Sequence, residues 1–533
     1  MMRFQRFAQA LSLALFGILL IIAAYPFIEG IPVDLFLRLD PSIAAVTSLA
    51  ARDLSLAFIP SVIMVAACLL VGRIFCGYIC PMGTTIDCVE AYLRKSKTTP
   101  PKHKEHSLGR FSHRTKYAFL LIMLASALGG VSLVFLGSPI SLVTRLYGLV
   151  IHPILLLVGE QALSLTTPLT RFLPDLAYWS LPTRTFATNV FVAALFVAIA
   201  CLGLWQPRFW CRNLCPAGAV FGIFSRNPMV RRTVSDDCNQ CGKCISTCPT
   251  GAISHDPKQT THAECIVCTR CEDICPQRAI SFSFSRSLAK VSTPLDMSRR
   301  GMLWSFFSGL FVSALLRTNI DQQISGSRER PMRDSELIRP PGSLPEPEFL
   351  VRCIRCGECM KACPTNTLQP VWLKSGLEGI FTPIMVPRLA ACGINCNVCG
   401  KVCPTGAIRS LSLVEKNYAK VGTAWIERRH CLVWEQDKKC LVCDEVCPYN
   451  AVSFRPVPDK MNAVPFVIAQ RCTGCGWCES KCPVEGAAAI RVNIIGEVRL
   501  SDGSYVEKAK EYGFVFRTKD NSVDHLAPDT FDE

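Results

Sequence analysis

Histidine is the scarcest metal-binding residue of this 533-residue chain: there are eight, and the apolar stretches of the first 210 residues offer only His152. That scarcity argues against a b-type haem held between paired axial histidines. Acids are also few, 42 Asp and Glu against 57 Lys and Arg, for a formal charge of +15. The excess does not make a nucleic-acid surface. Eight of the basic residues stand together in LRKSKTTPPKHKEHSLGRFSHRTK at 93–116, with no stacking aromatics interleaved. Flanked by hydrophobic runs, such a segment has the positive-inside pattern of a cytoplasmic loop. Charged residues make up only 19% of the chain and hydrophobic ones 50%, which places part of it in a membrane.

Cysteine, by contrast, is abundant: 31 residues at short, repeated spacings. A disulfide-stapled domain would be short and secreted, whereas thiols three residues apart suit metal ligation. CNQCGKCISTCP from Cys238 and CIVCTRCEDICP from Cys265 both match the C-x2-C-x2-C-x3-C-P run of two-cluster ferredoxins. The fourth cysteine of such a run ligates the other cluster. One 4Fe-4S centre is therefore expected from Cys238, Cys241, Cys244 and Cys275, and a second from Cys265, Cys268, Cys271 and Cys248.

The phrase returns four times further on. Cys353, Cys356, Cys359 and Cys363 are regular; Cys392, Cys396, Cys399 and Cys403 open with a wider gap; Cys431, Cys440, Cys443 and Cys447 open wider still; Cys472, Cys475, Cys478 and Cys482 are regular again. Regular quartets outside and variant ones inside suggest nesting. The expected sets are then Cys353, Cys356, Cys359 with Cys482; Cys472, Cys475, Cys478 with Cys363; Cys392, Cys396, Cys399 with Cys447; and Cys431, Cys440, Cys443 with Cys403. Sequential pairing is the competing arrangement. Every quartet closes on Cys-Pro, giving six clusters from 24 cysteines. Structural zinc would use two separated Cys-x2-Cys pairs and leaves the third cysteine and the proline without a role.

Four apolar runs, 7–27, 56–75, 117–137 and 186–205, approach the ~20 residues of a spanning helix. The loops at 26–55 and 137–185 are poor in Lys and Arg, so the amino terminus and the end of the fourth run are expected inside. SLVTRLYGLVIHPILLLVG at 141–159 is read as re-entrant or interfacial because Arg145 and His152 interrupt it. A shorter run at 301–316 follows Arg299 and Arg300. The expected fold is a membrane α-helical bundle of four spans, with this run as a fifth, carrying α+β ferredoxin-like modules. Its parts are a membrane domain at 1–220, a two-cluster domain at 229–285 (motifs 229–258 and 256–285), an anchor at 298–317 and a Pro-rich extended linker at 318–349. A four-cluster domain at 350–495 (motifs near 344–374, 383–413, 422–458 and 463–495) and a partly ordered tail at 496–533 complete it.

Seven cysteines remain. Cys68, Cys88 and Cys201 are read as small hydrophobes. Cys76, Cys80, Cys211 and Cys215 belong to RIFCGYICPMG at 73–83 and RFWCRNLCPAG at 208–218, the same Arg, aromatic, Cys-x3-Cys-Pro-x-Gly phrase placed each time after an apolar run. Each equals the last part of a ferredoxin motif, and side by side the two would supply four thiols. They are candidates for a further metal site, whether a seventh cluster or copper, with redox disulfides or a plain structural turn as the other readings.

Residues 1 to about 285, with these two phrases and the two-cluster module, resemble NapH, the membrane ferredoxin of periplasmic nitrate reduction, and its MauN- and NosR-like relatives. Residues 298 to about 500, with SRRGML, IRPPGSLPEPEFLVRCIRCGECMKACP and four motifs, resemble the NapG and MauM ferredoxins. The chain is similar to a fusion of the two. The resemblance implies an electron-transfer component with quinol dehydrogenase activity: quinol as diffusing substrate, the quinone pool and a periplasmic reductase or cytochrome as partners. The implied location is a bacterial inner membrane, crossed several times.

Residues 229–285 would then be cytoplasmic and residues 318–533 periplasmic, since Arg299 and Arg300 fit an uncleaved twin-arginine anchor. Roughly 30 Å of hydrocarbon would separate the two sets of clusters. Diffusing quinone, or a cofactor on the repeated phrases, would have to bridge that gap. A cofactor-maturation or copper-handling membrane ferredoxin, and a cluster-bearing scaffold or redox-sensing subunit, are the alternative functions.

Overall fold

The computed structural model describes residues 2–95, 113–166, 184–253, 256–284, 297–317, 337–372 and 375–518. It divides into two compact units, one formed by Met1–Ile22, Gly30–Ile151 and Asn189–Arg317, the other by Ala23–Glu29, His152–Thr188 and Thr318–Glu533.

The first unit packs its helices with polar residues inward. On Met2–Ile22, Gln5 and Gln9 are buried and donate from Nε2 to the Gly77 carbonyl at 3.2 and 3.1 Å, while Phe7, Leu11 and Ile18 stay 66%, 60% and 53% exposed. A water-soluble helix has the opposite polarity. The helix Arg299–Arg317 repeats the pattern with small residues. Its buried positions are Ser305, Gly309 and Ser313, four apart, and Gly309 lies against Ile122 and Ala125 of the helix Arg114–Leu128. Trp304, Phe307 and Phe311 face outward. Small residues at four-residue spacing let two helix backbones approach closely, a packing mode common between helices in lipid.

Among the described residues two helices, Phe4–Ile22 and Pro139–Leu163, have the length and apolarity to cross a membrane. The other three runs are helical but shorter, at Ile59–Val71, Arg114–Leu128 and Asn189–Trp205, the first two stopping at Gly72 and Gly129. The stretch at 141–159, expected to be re-entrant or interfacial, lies within one of the two qualifying helices. Arg145 does not interrupt it, because its side chain is buried and hydrogen-bonds to the Phe135 and Ser141 carbonyl oxygens.

The two-cluster module at the end of the first unit is closed by an antiparallel pair, Val230–Val234 against Ile280–Phe284. In the second unit Thr423–Ile426 pairs with Ile490–Asn493, so one sheet encloses every cysteine from 431 to 482; Val452–Arg455 pairs with Val464–Val467 inside it. Leu368–Pro370 pairs with Pro383–Met385 among the earlier cysteines.

Two boundaries need correction. Residues 318–336 lie outside the described residues, but 337–349 is no free linker. Arg339 is buried, donating to Thr382, the Pro383 carbonyl and Glu346, and Phe349 joins a core with Leu344 and Ile408. The prolines kept this segment out of a long helix without keeping it out of the core. Nor is 496–518 a tail. Tyr505, Ala509 and Phe514 form a core cluster with Leu411 and Tyr418, around the helix Tyr505–Glu511. Residues 519–533 lie outside the described residues. Replacing Tyr505 with Ala is expected to cost about 3 kcal/mol, read as earlier thermal loss of the folded second unit's circular-dichroism signal.

Candidate metal centres

The cysteine loops share a local geometry. In three of them Cys-Gly-x-Cys places Gly242, Gly357 or Gly476 at φ between +72° and +88°, and a one-turn helix follows carrying the third thiol. The left-handed glycine reverses the chain so that three thiols point to one side. The fourth cysteine precedes proline and is held extended, with ψ of 112° at Cys248, 116° at Cys363 and 123° at Cys482. It thereby turns away from its own loop.

In the first unit Cys265, Cys268 and Cys271 line one hollow together with Cys248. Cys244 and Cys275 pack in one cluster with Ile253 and Ile280, and Cys238 lies within electrostatic reach of Cys244. In the second unit Cys353, Cys356 and Cys359 share a hollow with Cys403, and Cys392, Cys396 and Cys399 interact with Cys363. Cys431, Cys440 and Cys443 share a hollow with Cys482, and Cys472, Cys475 and Cys478 one with Cys447.

The nested expectation is therefore overturned. It joined Cys482 to Cys353, Cys363 to Cys472, Cys447 to Cys392 and Cys403 to Cys431, whereas neighbouring quartets exchange their last cysteines. The physical reason is the sheet Thr423–Ile426 with Ile490–Asn493, which closes the third and fourth quartets into one module. The second quartet's fourth cysteine lies with the first by the close approach of residues 342–344 to 407–409.

The two repeated phrases come together as well. Cys80 interacts with Cys76 and Cys211, and Cys215 with all three. Cys80 and Cys215 stand just before the helices Pro81–Lys95 and Pro216–Phe224 with ψ of 113° and 112°, the conformation of a ferredoxin's last cysteine. Both arginines of the phrases are buried. Arg73 Nη2 lies 3.9 Å from Cys76 Sγ, and a Cβ at Gly218 would come within 2.7 Å of that same guanidinium. Arg208 Nη1 donates to the Cys76 carbonyl at 3.0 Å. Cys68 is buried and within electrostatic reach of Cys76, whereas Cys88 and Cys201 are exposed.

Two carboxylates that no motif singles out tie this quartet to the two-cluster module. Asp87 bonds Arg208 at 2.7 Å and Arg270 at 3.2 Å. Glu264, next to Cys265, pairs with Arg73 at 2.9 Å and with Lys116. Burial pushes the Glu264 carboxyl up, but Lys116 and Arg73 together hold it below the usual range. Its contribution to stability is therefore full above the ordinary glutamate range and fades as pH falls below it. Glu264→Gln would leave Arg73 and Lys116 buried without their counter-charge and should destabilise this junction by about 3 kcal/mol, measured by thermal unfolding in detergent near neutral pH.

Comparison with known proteins bears on these same loops. A 4Fe-4S binding domain matches 53–100 and 188–234, the segments around the two phrases, and another matches 233–254. A 4Fe-4S dicluster domain matches 352–407 and again 438–486, dividing the second unit as its hollows do. The methylamine utilization ferredoxin-type protein MauM of Methylophilus methylotrophus is 37% identical over 168 residues, 31% of this chain and 73% of the relative. The ferredoxin-type protein NapG of Escherichia coli K12 is 35% identical over 159 residues, 28% of this chain and 68% of the relative. The chain belongs to the MauM and NapG family of ferredoxin-type proteins. A match to MauN of Paracoccus denitrificans, 29% identical over 181 residues, covers 48% of that relative.

The thiol sets fit the 4Fe-4S groups of this family. Burial pushes the Cys353 thiol up to about 11 and Cys265, Cys443 and Cys475 up to about 12, and neighbouring thiols push the same way. Four such sulfurs are gathered at low cost only when a metal centre takes their protons. At the phrases, two buried guanidiniums beside four thiols suit an anionic iron–sulfur group, and Arg73 Nε is buried without a hydrogen-bond partner.

Proposed function

We propose that this ferredoxin-type chain is a membrane-bound electron carrier in which a NapH-like half and a NapG- and MauM-like half are fused. It takes electrons from the quinol pool and delivers them to a periplasmic reductase or cytochrome. Six 4Fe-4S clusters are held by Cys238, Cys241, Cys244 and Cys275; Cys265, Cys268, Cys271 and Cys248; Cys353, Cys356, Cys359 and Cys403; Cys392, Cys396, Cys399 and Cys363; Cys431, Cys440, Cys443 and Cys482; and Cys472, Cys475, Cys478 and Cys447. A seventh is shared by Cys76, Cys80, Cys211 and Cys215. Quinol releases two electrons and two protons, and each bound cluster supplies a one-electron site.

The observation that carries the reading is the sharing of exchanged thiol sets, module by module, within a chain whose first unit turns its apolar side chains outward. The protein's own residues bury the sulfurs, exclude water and supply the fixed cations Arg73 and Arg208. The apolar outer faces of Met2–Ile22 and Arg299–Arg317 support several crossings of a membrane, and in this reading residues 229–285 are cytoplasmic and residues 318–533 periplasmic.

Three measurements test it. Purified protein should carry about 28 iron atoms, seven times four, and well under ~24 would count against the cluster assignment. In membranes, menaquinol or ubiquinol should generate the electron paramagnetic resonance signals of reduced 4Fe-4S clusters. Alkaline phosphatase fused after residue 533 should be active outside the cytoplasm, and a stable but inactive fusion would overturn the periplasmic placement.

A further inference from the structure

Within the second unit the two exchanged modules meet at a joint between Cys392 and Cys475. The Cys392 amide donates to the Cys475 carbonyl at 2.8 Å. The loop carrying Cys475 is pressed so close to the first module that a Cβ on Gly476, at φ +88°, would stand 2.8 Å from the Pro387 Cβ. Because Cys363 and Cys403 interlock the first two quartets and Cys447 and Cys482 the last two, the thiol sets follow one another in space as the 353, 392, 472 and 431 sets. That order differs from their order in the chain.

One cation is built into the joint. Lys416, from the short helix Leu413–Tyr418, is 5% exposed, and its Nζ donates to the Gly393 carbonyl at 2.6 Å. It interacts electrostatically with Cys392, Cys396 and Cys475, thiols of both sets. Its other strong neighbour is the phenol of Tyr449, itself buried and donating to Asn417 Oδ1 at 2.9 Å. The acidic groups closest to the ammonium are thus cysteine sulfurs and a neutral phenol, so its charge acts on the sulfur sites of both modules.

We infer that Lys416 is a potential-setting residue for the two centres that meet at this joint, making both easier to reduce than they would be without its charge. The inference rests on the 4Fe-4S reading above. A fixed positive charge in a low-dielectric interior favours whichever redox form carries the extra electron, and it acts on both sides of the joint because it stands between them. No proton moves and no bond changes.

The test is a potentiometric titration of the full-length chain in detergent, followed by electron paramagnetic resonance. In Lys416→Met two of the second unit's centres should fall about tenfold in reduced-to-oxidised ratio at a fixed potential, a shift of about 59 mV for a one-electron couple. The others should hold their wild-type midpoints, and Lys416→Arg should restore the two that moved. Unmoved midpoints, or a uniform shift of every centre, would overturn the inference. Should Lys416→Met lose iron, Lys416→Gln keeps a donor for Gly393 without the charge and must give the same selective shift.

The wild-type chain provides a readout that needs no variant. On full reduction, spin–spin splitting must link the 392 and 472 centres, assigned by their loss in Cys396→Ser and Cys478→Ser, and its absence would sink the inference. A wild-type chain without any 4Fe-4S signal would sink the cofactor reading itself, whereas signals that never respond to Lys416 sink this inference alone.

Discussion

Cys403→Ser is expected to remove or convert the centre held by Cys353, Cys356 and Cys359 while leaving that of Cys392, Cys396 and Cys399 in place. Cys363→Ser should do the reverse. The expectation follows from the hollow that Cys403 shares with the first quartet and from the contact of Cys363 with the second. Each variant should lose about one to four iron atoms and the resonance signal of one centre, depending on whether a three-iron remnant survives. Cys482→Ser separates the arrangements most sharply. Under exchange between neighbours it disables the Cys431, Cys440 and Cys443 centre and spares the 353 centre, whereas nesting requires the opposite. Assigning the lost signal against a Cys443→Ser variant, which must lose the same one, decides the matter.

That expectation could not be read from spacing. Regular and variant quartets look alike under either pairing, because what selects partners is the sheet that closes each module. Its strands, TAWI and IRVN, are four residues long and lie some seventy residues apart. The motifs themselves were legible because geometry forces them: three thiols can face one way only if the chain reverses, and the fourth leaves the loop because proline follows it. Asp87 and Glu264 were illegible for the opposite reason. Nothing in a lone acid announces that a buried arginine from another segment will meet it; the only trace was the repetition of Arg73 and Arg208 at the same place in both phrases. The proline-rich stretch at 337–349 misled because proline excludes helix without requiring exposure, and Phe349 and Arg339 are anchored in the core.

The largest expected effect concerns the two phrases. A structural turn would need only Cys-Pro-x-Gly, which explains neither the first cysteine of each pair nor the buried arginine ahead of it. The structure brings Cys76 and Cys211 to the same place as Cys80 and Cys215 and adds both guanidiniums, which is what one shared anionic centre needs and a turn does not. It also sets this quartet against the two-cluster module, where the Tyr78 hydroxyl donates to the Val267 carbonyl at 2.8 Å, between Cys265 and Cys268.

Replacing all four cysteines with Ser should therefore remove about four iron atoms and bring quinol-dependent reduction of the remaining clusters to background, while dithionite still reduces them. Retention of both iron and quinol-dependent reduction would return the phrases to a structural role. Arg208→Lys offers a milder check. It keeps the charge but cannot reproduce the two-pronged bond to Asp87 at 2.8 and 2.7 Å. It should therefore shift the midpoint of this centre and spare the six others.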